Sequence, residues 1–446
     1  MRRLVETVRS RLLHGQSTFK RGFVSTFGLN MTARGLSAIA IVMLVRGLEV
    51  GDFAYVVLLL TVGSFAGSFA AGGIRMRYTR EEAERVSRGL DEPSPFLTAV
   101  GGTAAQIAAA AALGLLGATI LGVGDSPTDR LTFIGLAALF TLGHACTELG
   151  MYHYQAHLEF VKGGFYGVLR GASTCVAAIA ATVGLISSGP VVMLWIALGT
   201  LAVGVAVCVP LAWATRRVRY RGEGRWAFGA ESNWLTLYFI ASAGFAYGSM
   251  FMVATLLDDS AVASFGAAER YVSIVLGPVA ALMTVLRVRT SQQDVVDSHS
   301  AQLSMLMRWL KRASLPTAAV VAAMAALAPF VIPLIDDGRY PDSVTIFQLL
   351  MIDAFFVYVT MPAPNLLMAQ RRFQLLAILY SLFLAVQVAV TVVVGTTWGV
   401  IGIAVVAAVF GVVSRTALVG ATLWSGTPGG KAREPEKLRE PALIAD

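Results

Sequence analysis

Apolar runs long enough to cross a bilayer recur along the whole of this 446-residue chain. The hydrocarbon core needs about 20 apolar residues in a helix. Such runs lie near 24–45, 53–73, 96–123, 131–156, 164–187 and 191–214, and again near 232–256, 269–288, 313–335, 344–367, 374–395 and 398–424. In lipid every backbone N–H and C=O must be satisfied within the protein, which leaves helices or a closed barrel. These runs are too long for barrel strands and lack their period-two alternation. The expectation is an all-α integral membrane protein of about 12 transmembrane helices.

Composition supports this. Charged residues are 14% and apolar ones 56%, with mean hydropathy +0.69. A soluble chain carries about 25% charge, and a disordered one is far less apolar. The net charge of +8 reflects orientation, so no nucleic-acid partner is expected. Of the 35 cations, 28 fall in the two tails and alternate loops, and the opposite loops hold only Arg46, Arg130 and Arg339. The cation-rich side is read as cytoplasmic, so both termini are expected inside and the number of spans is even. The first 22 residues are basic, with no apolar core before a cleavage site, so no signal peptide is expected.

The even split is read as two sixes. LLGATILGVGDSPTDRLTFIGL in the first half parallels APFVIPLIDDGRYPDSVTIFQL in the second. Two halves of six spans share one orientation and should be related by an axis along the membrane normal. The expected organisation is a cytoplasmic basic tail over 1–22, a six-helix lobe over 23–221, a second over 222–425 and a disordered tail over 426–446. The seam is the basic loop 215–231.

Short connections argue against an enzyme. No segment outside the spans exceeds about 25 residues, and no P-loop GxxxxGK[ST] occurs. Cys146, Cys175 and Cys208 lie in apolar runs without paired spacing. No catalytic residue, metal site or cofactor is expected.

A charge at mid-membrane costs about 2.5–3.5 kcal/mol on insertion scales. It persists where a partner or a wet cavity receives it. Asn30, Arg34 and Ser37 share a face of the first span, and Tyr166, Arg170 and Thr174 a face of the fifth. In the fourth, Thr141, His144, Glu148, Tyr152 and Gln155 form a polar stripe at helical spacing. Asn30, Arg34, His144, Glu148, Arg170, Arg270 and Arg415 are the candidate cavity-lining, substrate-binding residues. Two readings stay open for the stripe: a lining for polar cargo, or structural bonding in which Glu148 neutralises Arg170. Glu269 and Arg270 are placed where the eighth span opens, near the outer interface. His153 is read as interfacial, and Trp213, Trp234 and Trp398 as interface anchors. Asp353 is a candidate ion-coupling residue without a second carboxylate nearby. Four intramembrane arginines against three carboxylates suit an anionic headgroup, since a guanidinium grips phosphate or carboxylate oxygens in pairs. Pro278, Pro329, Pro333, Pro362 and Pro364 mark bends in the second half.

Four stretches carry a family resemblance: ARGLSAIAIVMLVRGLEVGDFAYVVLLL with GGIRMRY after it, MFMVATLLDDSAVASFGAAERYVSIV, and PFVIPLIDDGRYPDSVTIFQLL. Over about 23–424 the chain resembles the multidrug/oligosaccharidyl-lipid/polysaccharide exporter superfamily, above all its bacterial polysaccharide branch of O-antigen-type flippases. The resemblance implies two six-helix lobes around a central cavity in the bacterial cytoplasmic membrane. It implies flipping of a polyprenyl-diphosphate-linked oligosaccharide by alternating access, with Arg34 and Arg270 receiving the diphosphate. The implied partners are the lipid-linked glycan, membrane lipids, and glycan polymerase or glycosyltransferase proteins. The rival readings are an ion-coupled exporter of drugs or small metabolites, a membrane-embedded polysaccharide polymerase or ligase, and a scaffold without transport.

Overall fold

The structure, a computed structural model, describes residues 28–88, 94–120, 126–157, 159–215, 230–277 and 299–424. The expected tails 1–22 and 426–446, most of the seam 215–231, and Pro278 lie outside the described residues. Among the described residues every regular element is a helix. In chain order these are α1 (Gly28–Gly47), α2 (Val50–Arg88), α3 (Phe96–Ile120), α4 (Pro127–Ala156), α5 (Phe160–Thr182) and α6 (Gly189–Thr215). The second half holds α7 (Ala230–Leu256), α8 (Asp259–Val275), α9 (His299–Asp336), α10 (Ser343–Thr360), α11 (Pro362–Ala369) and α12 (Phe373–Trp424).

The last of these is two spans. At 52 residues a straight helix would run about 78 Å, more than twice the hydrocarbon thickness. Gly399 interrupts it at φ 61°, ψ −149°, a backbone region open essentially to glycine alone. The chain then folds back, so that Arg415 donates from Nη1 to the Tyr380 hydroxyl at 3.0 Å. The turn lies within GTTWG, where the sequence placed it. Among the described residues, counting α12 twice and α10 with α11 as one gives twelve helical segments, the number expected.

Helix starts follow local chemistry. Ser126 accepts the Asp129 N–H at 3.1 Å with Pro127 at the first position of α4, and Asp258 accepts the Ala261 N–H at 2.9 Å to open α8. Both are ordinary N-caps. The Asp258 cap corrects the sequence reading, because the eighth span starts ten residues earlier than 269. Glu269 and Arg270 therefore sit well inside α8 and not at its mouth. A second correction concerns α2, which stays helical through Arg88. The cations Arg75, Arg77, Arg80, Arg85 and Arg88 are on a helix and not in a loop. Pairing within the helix accounts for part of this: Arg77 meets Glu81 at 2.8 Å and Arg85 meets Glu82 at 2.6 Å.

Small residues let helices approach closely in the first half. A Cβ on Gly143 of α4 would lie 2.5 Å from the Leu201 backbone nitrogen of α6, and one on Gly204 2.7 Å from the Gly143 carbonyl. Leu315, Phe330, Leu334 and Trp424 point outward and are exposed, as lipid-facing side chains are.

The halves meet through α2, which packs on α7 and α8. Phe65 of α2 and Phe251 of α7 stack edge to face at 5.4 Å. At the face away from the described chain ends, the α1–α2 corner locks onto the α9–α10 corner. Arg46 donates to the carbonyls of Ile335 at 2.8 Å and Leu334 at 2.5 Å. Arg339 donates in return to the carbonyls of Arg46 and Leu48, both at 3.2 Å. Phe53 and Tyr340 pack beneath, with ring centroids 5.6 Å apart.

Candidate functional site

Among the described residues, the candidate cavity residues gather at three places. The first lies in the first half. Helical spacing puts His144 and Glu148 one turn apart on α4, facing Arg170 of α5. Arg170 Nη1 reaches Glu148 Oε1 at 3.4 Å and His144 Nδ1 at 2.9 Å. A guanidinium only donates, so His144 Nδ1 accepts and a proton on that neutral ring belongs to Nε2. Gly67 of α2 makes room for the ring, since a Cβ there would come within 3.1 Å of it.

The other carboxylate oxygen of Glu148 is held from α2. Arg75 Nη1 sits 3.2 Å from Oε2, and its guanidinium lies 4.8 Å above the Tyr152 ring. One carboxylate thus stands between two arginines and leaves a surplus positive charge. Arg34 of α1 adds a third guanidinium within electrostatic range of Arg170 and Glu148. Its side chain lies against Gly277, where a Cβ would come within 3.1 Å of it. Arg34 therefore reaches from the first half to the end of α8. Asn30 is one turn earlier on α1 and partly buried.

The second place is between the halves. Arg270 of α8 donates from Nη2 to Thr61 Oγ1 of α2 at 3.1 Å. Beside it Glu269 is half-buried, and its Oε2 is shut from solvent without a hydrogen-bond partner among the described residues. The third is in the second half. Asp353 of α10 lies within electrostatic range of Arg415 of α12, and Arg415 is bonded to Tyr380. Gly411 leaves the space, because a Cβ there would come within 2.5 Å of the Asp353 Cγ.

The structure therefore brings His144, Glu148 and Arg170 together, sets Arg34 beside them, and keeps Arg270 and Arg415 apart in sites of their own. Arg75 was missed. The sequence reading ended the second span at residue 73 and counted Arg75 as a loop cation; only the continuation of α2 carries it to Glu148. His153, read as interfacial, sits in the last turn of α4 and is turned into the protein, with Nδ1 2.5 Å from the Tyr78 hydroxyl and its ring against Phe96.

The backbone path has clear counterparts. An inward-facing multidrug-resistance MATE-family transporter of the MOP superfamily superposes with TM-score 0.65 at 16% identity, covering 90% of this chain and 98% of that one. The lipid II flippase MurJ in an inward closed conformation gives TM-score 0.70 at 12% identity over 89% of this chain and 87% of that one. The chain has the fold of these MATE and MurJ structures. A third MOP-superfamily transporter, from Pyrococcus furiosus and described by the reverse polarity of its binding pocket, gives 0.64 at 17% identity over 91% and 95%. No family model and no curated protein matches the chain.

At these identities the likeness shows the fold alone, the twelve-helix, two-lobed arrangement of the MATE and MurJ structures; nine of the described helices are long and apolar enough to cross a membrane. An outward-facing MATE structure also superposes at TM-score 0.64. The conformation of this chain is therefore read from its own contacts. In it the two lobes are fastened together at the Arg46–Arg339 face.

Proposed function

We propose that the protein flips a lipid-linked, anionic headgroup across the bacterial cytoplasmic membrane, in the chemistry of a polyprenyl-diphosphate oligosaccharide. The observation that carries this reading is the pairing of Glu148 with both Arg75 and Arg170, with Arg34 in range. The arrangement holds more guanidinium than carboxylate. An incoming diphosphate can bind the surplus without first displacing a neutralising partner, and guanidinium forks match phosphate oxygens. Arg34 and Arg270 lie where the lobes face each other, so their surroundings change when the lobes rock. The face fastened by Arg46 and Arg339 is taken as the outer one, with both termini cytoplasmic and the 215–231 connection as the flexible join. The prenyl chain stays in lipid while the headgroup passes between the lobes.

An ion-coupled exporter is the second reading, since MATE-family structures share the fold. Asp353 would have to hold the cation. Arg415 lies in electrostatic range of that carboxylate, so a cation there would have to overcome a fixed positive charge. This favours the flippase, with Asp353 as the partner of Arg415.

Leaflet-resolved measurement of lipid-linked oligosaccharide in a deletion strain tests the proposal. Loss of outward delivery, restored by the wild-type gene but not by Arg34→Ala, is the expected result. Unchanged delivery in the deletion strain would end the flippase reading, and drug hypersensitivity in its place would favour the exporter. Association with glycan polymerase or glycosyltransferase proteins follows from the flippase reading and is open to affinity capture in native membranes.

A further inference from the structure

The end of the first lobe nearest the described chain ends holds a side-chain cluster separate from the Arg75–Glu148–Arg170 site. Glu82 on the extension of α2 is completely buried. Facing it are His153, in the last turn of α4, and His157, which caps that helix. The four-residue spacing places both rings on one side of α4, with centroids 4.5 Å apart. His157 Nε2 is 2.9 Å and His153 Nδ1 3.9 Å from the same Glu82 oxygen, Oε1. One donor atom from each of the three residues lies within 4.8 Å of the others.

We infer that Glu82, His153 and His157 form a binding site for a divalent transition-metal ion, of which Zn2+ is the best fit. Zinc bonds to nitrogen and carboxylate oxygen run about 2.0–2.2 Å, so ligand atoms of a tetrahedral site lie about 3.4 Å apart. The two separations from Oε1 fall on either side of that value, and the three donor atoms as a set lie within 4.8 Å, so the imidazoles have to draw together by up to about 1.4 Å to share an ion. Two imidazoles and a carboxylate are a donor set suited to zinc. Outer-shell support is already present. Ser94 donates to the other carboxylate oxygen, Oε2, at 2.9 Å. Such a partner orients the ligand and raises affinity. The Tyr78 hydroxyl, 2.5 Å from His153 Nδ1, holds the nitrogen the ion would take and has to give it up on binding. The His157 side chain is 32% exposed, which leaves a way in for the ion.

The competing group is Arg85. Its guanidinium holds both Glu82 oxygens, from Nη2 to Oε1 at 2.6 Å and from Nε to Oε2 at 3.1 Å. An ion at Oε1 has to displace one of those bonds and repel the guanidinium. Arg85 is one turn along α2 and partly exposed, so it can turn outward. The cluster then has two forms. In one, Arg85 and His157 share the carboxylate; in the other, an ion ties α2 to the end of α4. In the second form the ion would stiffen the junction between α4 and α5.

The test uses the full chain in detergent, with any affinity tag removed, and Zn2+ or Co2+ as the probe. Saturable binding of one ion per chain is expected, with a rise in Tm and visible ligand-field bands from Co2+. His157→Gln, at the exposed rim, should weaken binding about 10–100-fold while leaving the metal-free Tm close to wild type. Arg85→Gln should tighten binding. A purely hydrogen-bonded network makes the opposite forecast: no stoichiometric uptake, and an Arg85→Gln variant that is merely less stable. Absence of uptake by the wild type, or equal uptake by His157→Gln, overturns the proposal. Either result leaves the flippase reading untouched, because none of these residues belongs to the Arg75–Glu148–Arg170 cluster.

Discussion

Arg46 and Arg339 hold the two lobes by reciprocal bonds: each guanidinium donates to backbone carbonyls at the opposite lobe's corner, and Arg339 bonds to Arg46 itself at 3.2 Å. Asp337 adds an ion pair to Arg46 at 3.4 Å and Phe53 packs on Tyr340, but every hydrogen bond of this latch comes from the two arginines. Any state in which the distal face opens must break these bonds together.

The first prediction follows from that latch. Each net hydrogen bond is worth about 1 kcal/mol, so Arg46→Ala with Arg339→Ala should shift the closed-to-open balance by at least about tenfold. A membrane-impermeant maleimide would report it at Val57→Cys, which is buried in the closed seam. The three native cysteines, all free, are replaced first. Unchanged labelling would show that the latch does not govern opening.

Glu148→Gln removes the anion that separates Arg75 from Arg170. Breaking a buried ion cluster costs about 3–5 kcal/mol. Water reaches these side chains in part, at 14–26% exposure, so about 2 kcal/mol is the expected loss. Adding Arg75→Gln should return some of it, because the repulsion goes too. Thermal unfolding of the two single variants and the double variant measures the coupling; strict additivity would mean that Glu148 and Arg75 do not act on each other.

Gly399→Ala should destabilise the protein by about 1–3 kcal/mol, since a side chain at φ 61°, ψ −149° is strained. Gly420 is the control: it is helical, with nothing within 4 Å of an added Cβ, so Gly420→Ala should be neutral or mildly stabilising. Similar Tm values for the two alanine variants would remove the turn from the account of α12.

Acid should loosen the α2–α4 contact. Burial pushes the Glu82 carboxyl up, but the bonds from Arg85, His157 and Ser94 outweigh it and hold the group below its ordinary value of 4.5. A carboxyl depressed in the folded state contributes stability that is present above pH 4.5 and lost as the pH falls through the depressed value. Protection of the amides at the end of α4, as the ratio of intrinsic to observed exchange rate, should therefore fall below pH 4.5 in the wild type. Glu82→Gln should be less stable at neutral pH and should lose that dependence. A wild-type profile flat over this range would show that Glu82 is not the anchor.

Much of the architecture was legible in the chain, because lipid offers no alternative partner to a backbone amide. Long apolar stretches therefore read as helices, and the GTTWG turn in α12 could be placed within a residue or two. The stripe of His144 and Glu148 was legible for a similar reason: 3.6-residue periodicity states which side chains share a face. Helix ends were less so. Hydropathy falls at residue 73, yet α2 continues as a helix that is polar and internally paired. That single misplaced boundary hid Arg75 from the cluster and Arg85 and Glu82 from their histidines.

From sequence alone came the class of fold, the number of crossings and the identity of most buried charges, all of which depend on local composition and helical period. The tertiary structure decided the pairings. Arg75 meets Glu148 across 73 positions and Arg339 meets Arg46 across 293. Contacts between helices are set by how their faces rotate and how closely small residues let them approach, and neither is written in the periodicity of any one segment.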